Sequence, residues 1–349
     1  MRVLILYTEL AGYVLGNISS FLKSYNTAEV LIIHYPVNPE APFNFSDLYG
    51  IKFVDKSQIN DETLIKLVND FNPNAVLCSG WADKTYLRIV GGLPQKTKRV
   101  ICLDNQWKAS LKQYILVLIA PFWLLKIFKY AWVPGEPQKQ YAMKLGFKAT
   151  NVFTGLYPAD SEFYGHIGRL KLSNKKAYPK QMISIARYIA QKDLPTLWHA
   201  FIAANNDTGN QWTLNCFGFG ELFESRIIDP YIHHLGFKQP RELEKYIIDA
   251  GVYVLPSIYE PWGVAVHEMA LSALPMVLSD KVGAASMFLS NKNGFAFQAA
   301  DVKALEKVLY KFMQMDDEQL WTMAEASYNS GLTLTSNDWS LTLKTIIDK

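Results

Sequence analysis

Two glutamates eight positions apart, Glu260 and Glu268, and two cations five positions apart, Arg187 and Lys192, are the residues whose types and spacing could do chemistry in this 349-residue chain. Arg187 and Lys192 flank a loop that runs from a strand-like segment, 182–186, to a helix start carrying Pro195. Two cations in front of a helix N-terminus are what a pyrophosphate requires when no metal neutralises it. On spacing alone, two solvated surface glutamates are the simpler reading of Glu260 and Glu268, and surface placement accounts for Arg187 and Lys192 at least as well as a site does.

The elements around them narrow the choice. Residues 251–255 form a short apolar, β-branched run ended by Pro256 and Ser257, and Glu260-Pro261-Trp262-Gly263 then leads into 264–274, apolar at helical spacing and closed by Pro275. A strand feeding a helix through a glycine-containing turn puts Glu260 beyond the strand's carboxyl end, where open α/β sheets bind ligands. It also sets the amides near Gly263 at a helix N-terminus suited to an anion. The same alternation recurs along the chain. Strand-like runs at 3–7, 30–34, 75–78, 100–103 and 130–133 alternate with helix-like 11–22, 61–71 and 138–145, and a second series starts at Met182 with strands at 212–217, 232–235 and 276–279. Such alternation predicts largely parallel sheets in two Rossmann-like halves, as the length also favours. Gly12 follows the first strand, Asp104-Asn105 the fourth, and the glycine turn Gly218-Phe219-Gly220 the strand at 212–217. For Asp104, a site role and simple helix capping both fit. Residues 157–181, with Pro158, Gly165, Gly168 and four lysines, read as an interdomain linker, and 293–297 as a turn.

Composition excludes several classes. Half the residues are hydrophobic, so the chain folds, and a net charge of +3 with pI near 8.5 is too small an excess to imply a nucleic-acid partner. Cys78, Cys102 and Cys216 lack CxxC spacing, which indicates neither zinc nor a disulfide framework and suits the reduced cytoplasm. Residues 114–125 are the greasiest stretch, bracketed by Lys108, Lys112, Lys126 and Lys129. They fall short of the roughly twenty residues that span a bilayer. Two readings stay open: a buried helix of the first domain, or a face that dips into anionic headgroups at the inner surface of the membrane.

Taken together, ISIARYIAQKD (183–193), NCFGFGE (215–221), HLGF (234–237), the Glu260-x7-Glu268 motif, ALPMVLSD (273–280) and NGFAF (293–297) give the C-terminal half an ordered set of signals. That half resembles the retaining, nucleotide-sugar-dependent glycosyltransferases of family 4. The resemblance implies a GT-B fold, α/β with two Rossmann-like domains facing each other across a cleft. Its domains would be 1–165 for the acceptor, 180–332 for the nucleotide-diphosphate sugar, and a C-terminal helix in 333–349 packing back on the first. It implies that Arg187 and Lys192 hold the diphosphate and neutralise the leaving group, with no metal and no cofactor. Glu268 would bind the ribose and Glu260 would lie beside the donor sugar. Trp262, Gly263 and Val264 would offer amides to sugar or phosphate oxygens, with Gly236 and Phe237 bordering the base. Gly218 and Gly12 would belong to the donor side, and Asp104 and Asn105 to a glycan or lipid-linked acceptor. The chain departs from the family pattern at Ala186 and Asp193, where glycine is usual, at Asp104-Asn105 in place of a His-Asp-like pair, and at Ala11-Gly12 in place of two glycines. An epimerase or hydrolase of the same fold, or a non-catalytic scaffold, are the alternatives.

Overall fold

The computed structural model describes residues 1–10, 12–40, 42–43, 50–209 and 211–349; Ala11 lies outside them. The chain divides into two compact units, one made of Met1–Asn38, Phe43–Pro158 and Ser336–Lys349, the other of Pro39–Pro42 and Ala159–Thr335.

Among the described residues the first unit has seven strands: β1 Arg2–Tyr7, β2 Glu29–His34, β3 Ile51–Asp55, β4 Ala75–Ser79, β5 Lys98–Cys102, β6 Tyr130–Trp132 and β7 Val152–Phe153. They form one sheet in the order β3-β2-β1-β4-β5-β6-β7, and every pairing is parallel. The near-continuous apolar runs of β1, β2 and β4 belong to a sheet covered on both faces. Side chains alternate between two cores, with Leu4, Leu6, Leu31, Ile33 and Val76 on one face and Val3, Ile5, Val30, Ile32 and Leu77 on the other. The C-terminal helix Ser336–Asp348 completes the second of these cores. Its Trp339 stacks on Trp132 at 5.1 Å between ring centroids and meets Phe21 edge-on.

The second unit's six described strands are β8 Gln181–Ile185, β9 Thr213–Phe217, β10 Ile232–His234, β11 Val252–Leu255, β12 Met276–Ser279 and β13 Gly294–Phe297, again parallel, in the order β10-β9-β8-β11-β12-β13. In each sheet the strand order reverses once, between β1 and β4 and between β8 and β11. These reversals open the crevices in which such sheets take ligands.

Two sequence readings are corrected. Residues 294–297 are a strand paired with β12, not a turn. The supposed linker holds a 13-residue helix, Ser161–Ser173, started by the Asp160 carboxylate, which accepts from the Phe163 amide. Its glycines serve close packing. A Cβ on Gly168 would stand 2.1 Å from the Leu271 carbonyl oxygen and 2.6 Å from the Tyr328 ring. Alanine gains about 1 kcal/mol of helix propensity over glycine, but overpacking costs about 1–3 kcal/mol, and a backbone oxygen cannot rotate away. Gly168→Ala is therefore expected to destabilise the chain by about 2 kcal/mol, read from the midpoint of urea unfolding; an unchanged or raised midpoint contradicts this packing.

Candidate active site

The loops after β8 and β11 adjoin the reversal point of the second sheet, and they carry three of the four residues singled out by type and spacing. After β8 the chain stays paired with its neighbour for three more residues, since the Ala186 amide donates to the Phe217 carbonyl and the Tyr188 amide to the Phe219 carbonyl. Gly218 and Gly220 make that approach feasible. A Cβ on Gly218 would lie 2.1 Å from the Ala186 oxygen, and one on Gly220 2.6 Å from the Tyr188 oxygen. The Gly218 amide donates to the Gly236 carbonyl at 3.0 Å, so its place in the motif shapes the Arg187 loop and uses up its own donor. Gly236 has φ +68°, and a Cβ there would run into the Phe219 ring, which is itself 42% exposed.

Arg187 meets Glu40 at 3.3 Å, with both side chains 38% exposed. Ion pairs that exposed contribute about 0–1 kcal/mol, so the guanidinium remains available to an anion. Lys192 closes a single helical turn, Ala190–Lys192, and its amine is paired with the Glu260 carboxylate, both largely out of solvent. Two hydrogen bonds clip the same loops together: the Gln191 side-chain amide donates to the Tyr259 carbonyl at 2.7 Å, and the Ile258 amide donates to the Gln191 carbonyl at 3.0 Å. Gln191, which no spacing rule singles out, is thus the link that fixes the cation loop to the glutamate loop. Asp193 follows with φ 48°, the left-handed region that glycine prefers and Asp tolerates.

Glu260 is held from behind. Its amide donates to the Lys281 carbonyl, and its carbonyl accepts from Gly283. Gly263, at φ +93°, leaves no room for a Cβ, which would stand 2.9 Å from the Glu260 side chain. Trp262 is buried against Phe288. Val264 opens the helix Val264–Leu271, and Glu268 lies on it, half-buried by surface area with its carboxyl enclosed by protein. Burial raises the Glu268 carboxyl to about 7 against the Tyr164 hydroxyl, which donates to it and pulls the other way; nearby Asp160 adds to the rise. Tyr253 on β11 responds electrostatically to both glutamates, and its buried hydroxyl has no partner among the described residues. It was not foreseen, since in sequence it reads as one more apolar strand position. Phe237 is partly exposed beside Gly236.

In the first unit, Gly12 opens the helix Gly12–Ser24 directly after β1. Thr8 and Ser79, at the ends of β1 and β4, face each other at the reversal point with hydroxyls 3.2 Å apart. Asp104, after β5, acts electrostatically on the buried Tyr7 and Tyr157, and Asn105 is exposed. Capping is not the job of Asp104, because Ser110 caps the next helix by accepting from the Gln113 amide. Among the described residues, no group of three or more His, Cys, Asp or Glu side chains is placed to hold a metal.

Residues 170–330 match the family Glycosyl transferases group 1. Amylovoran biosynthesis glycosyltransferase AmsK of Erwinia amylovora is 25% identical over 159 residues, and the putative colanic acid biosynthesis glycosyltransferase WcaL of Escherichia coli K12 is 27% identical over 160. These stretches cover 42% and 41% of this chain but only 39% and 38% of the relatives. A glycosyltransferase from Rickettsia africae superposes over 99% of this chain and 97% of its own, with TM-score 0.71 at 12% identity. Anabaena Alr3699/HepE, solved in complex with UDP and glucose, superposes over 100% and 99% with TM-score 0.70 at 13% identity. The fold is the two-domain α/β architecture of GT-B glycosyltransferases.

Proposed function

From the Glycosyl transferases group 1 domain at residues 170–330, we propose that the chain is a retaining, metal-independent glycosyltransferase. It would move a sugar from a nucleotide-diphosphate sugar to a glycan or lipid-linked acceptor in cell-surface polysaccharide synthesis, at the cytoplasmic face of the membrane. The observation that carries this reading is the clipped pair of loops at the reversal point of the second sheet, which sets Lys192 against Glu260 and leaves Arg187 open to an anion. The names of the two relatives, for amylovoran and colanic acid synthesis, support the polysaccharide setting.

In this reading the second unit binds the donor and the first the acceptor. The bond from the anomeric carbon to the diphosphate oxygen breaks, and Arg187 and Lys192 stabilise the charge that develops on the departing diphosphate. The acceptor hydroxyl attacks from the same face, so the configuration is kept, and its proton leaves with the diphosphate. Glu268 accepts hydrogen bonds from the ribose, and Glu260 with the amides of Gly263 and Val264 borders the sugar. Asp104 or Asn105 hydrogen-bonds an acceptor hydroxyl. The test is turnover of a panel of nucleotide sugars, with and without EDTA, and the anomeric configuration of the product by NMR. Retained configuration and EDTA-resistant turnover are expected. Loss of turnover with EDTA removes metal independence, an inverted product removes retention, and a free or epimerised sugar formed without acceptor assigns a hydrolase or epimerase.

A further inference from the structure

The helix Leu111–Ile127 leaves six large apolar side chains in solvent: Leu111, Tyr114, Ile115, Leu118, Ile119 and Phe122, with Leu118 and Phe122 each 72% exposed. Spaced by three and four, they make one continuous stripe along the helix. The opposite side, through Ala120 and Leu124, is packed into the sheet core. A helix apolar all round is normally buried all round, yet this one is covered on one side only. It is also shorter than a bilayer span, and among the described residues no helix is long and apolar enough to cross a membrane.

Charge says what covers the open side. Lys112 and Lys126 are exposed on the helix, Lys108 and Lys129 lie at its two ends, and no Asp or Glu occurs between Asp104 and Glu136. At the N-terminal end of the stripe, Trp107 stands edge-on to Tyr114 at 5.0 Å, with the Lys144 amine 5.0 Å above the Trp107 ring. Apolar residues flanked by lysines, with Trp and Tyr at one end, match the layered chemistry of a headgroup boundary, where aromatic rings settle and lysine stems reach for phosphate. A second copy of this chain is the poorer occupant, because a two-fold contact would bring the same lysine-bearing, carboxylate-free face against itself.

We infer that the helix Leu111–Ile127 lies flat on an anionic lipid surface, its apolar stripe in the acyl boundary and its lysines on the headgroups. The full chain is tested by flotation with phosphatidylcholine vesicles and with vesicles in which about a third of the lipid is phosphatidylglycerol. Wild type is expected to float with the anionic vesicles and to lose binding as salt rises. Lys112→Gln and Lys126→Gln should each weaken binding about fivefold, and the pair Leu118→Ser/Phe122→Ser more than about tenfold. All these side chains are exposed, so melting temperatures should not move, and turnover with a soluble acceptor should match wild type, which separates this surface from the proposed catalysis. The inference is overturned if wild type does not float at low salt, or if Leu118→Ser/Phe122→Ser floats equally well. It is also overturned if wild type is a dimer by light scattering that the same substitutions make monomeric, since the stripe then belongs to a second copy.

Discussion

Lys192→Ala is expected to lower kcat/KM for donor turnover about a thousandfold, ~4 kcal/mol of transition-state stabilisation. In the proposed reaction, negative charge grows on the departing diphosphate oxygen, and an amine fixed in a partly desolvated loop opposes it without reorganising. The clip of Gln191 to Tyr259 and of Ile258 to Gln191 fixes the loop that carries the amine, and Glu260 pairs with the amine itself. A second effect accompanies the first. Glu260 is only 8% exposed, and removing its partner leaves a buried carboxylate uncompensated, a loss of about 3–5 kcal/mol in comparable pairs. Stability and turnover therefore need separate readings. The double variant Lys192→Ala/Glu260→Gln removes the stranded charge and should recover much of the melting temperature while turnover stays low. Wild-type-like kcat/KM in Lys192→Ala, measured well below its melting point, takes Lys192 out of the site.

Glu268 makes the second large prediction, in pH. Its carboxyl is raised to about 7 in the folded chain, above the usual glutamate value, chiefly by burial. The sign follows directly. The folded state prefers the protonated form, so the stability Glu268 contributes is fully present below its unfolded pKa and is lost as pH rises through about 7. Ligand binding runs the other way, since ribose hydroxyls donate to a carboxylate and favour the ionised form. Nucleoside diphosphate affinity should rise with pH through neutrality and fall by up to about tenfold per unit below it. Binding near pH 7 should also release protons, visible by calorimetry in buffers of different ionisation enthalpy. Glu268→Gln should weaken binding about tenfold to a hundredfold, the worth of hydrogen bonds to a charged group, and should flatten the pH profile. Comparing the two profiles subtracts the titration of the nucleotide's own phosphate. A Glu268→Gln profile as steep as wild type shows that another group carries the dependence.

The parallel sheets and the strand-turn-helix that carries Glu260 and Glu268 were legible because buried strands announce themselves as apolar runs and the helix as a change of period. Residues 161–173 were misread because two glycines look like breakers; Gly168 is there so that a helix can press on the Leu271 backbone. The strand at 294–297 was hidden by an Asn-Gly start, and the short edge strand β3, with no fully buried residue, gave no signal. At the site, residue types marked the charges but not their partners. The Lys192–Glu260 pair, the Gln191 clip and the hydroxyl of Tyr253 all depend on contacts between residues distant in sequence. The stripe on Leu111–Ile127 was ambiguous for a different reason: a helix apolar on every side carries no record of which side the core will take.

The segment Ser336–Lys349 belongs to the first unit although the whole of 159–335 separates it from the rest of that unit. The second unit is thus an insertion in the chain of the first. Its six described strands are all made before the helix that finishes the first unit's core emerges from the ribosome. Units of this kind fold as wholes during synthesis, so here the order of completion is reversed with respect to the order of translation. Until Trp339 arrives, Trp132 and Phe21 lack their partner. Of the two units, the one begun earlier is therefore the last to be sealed.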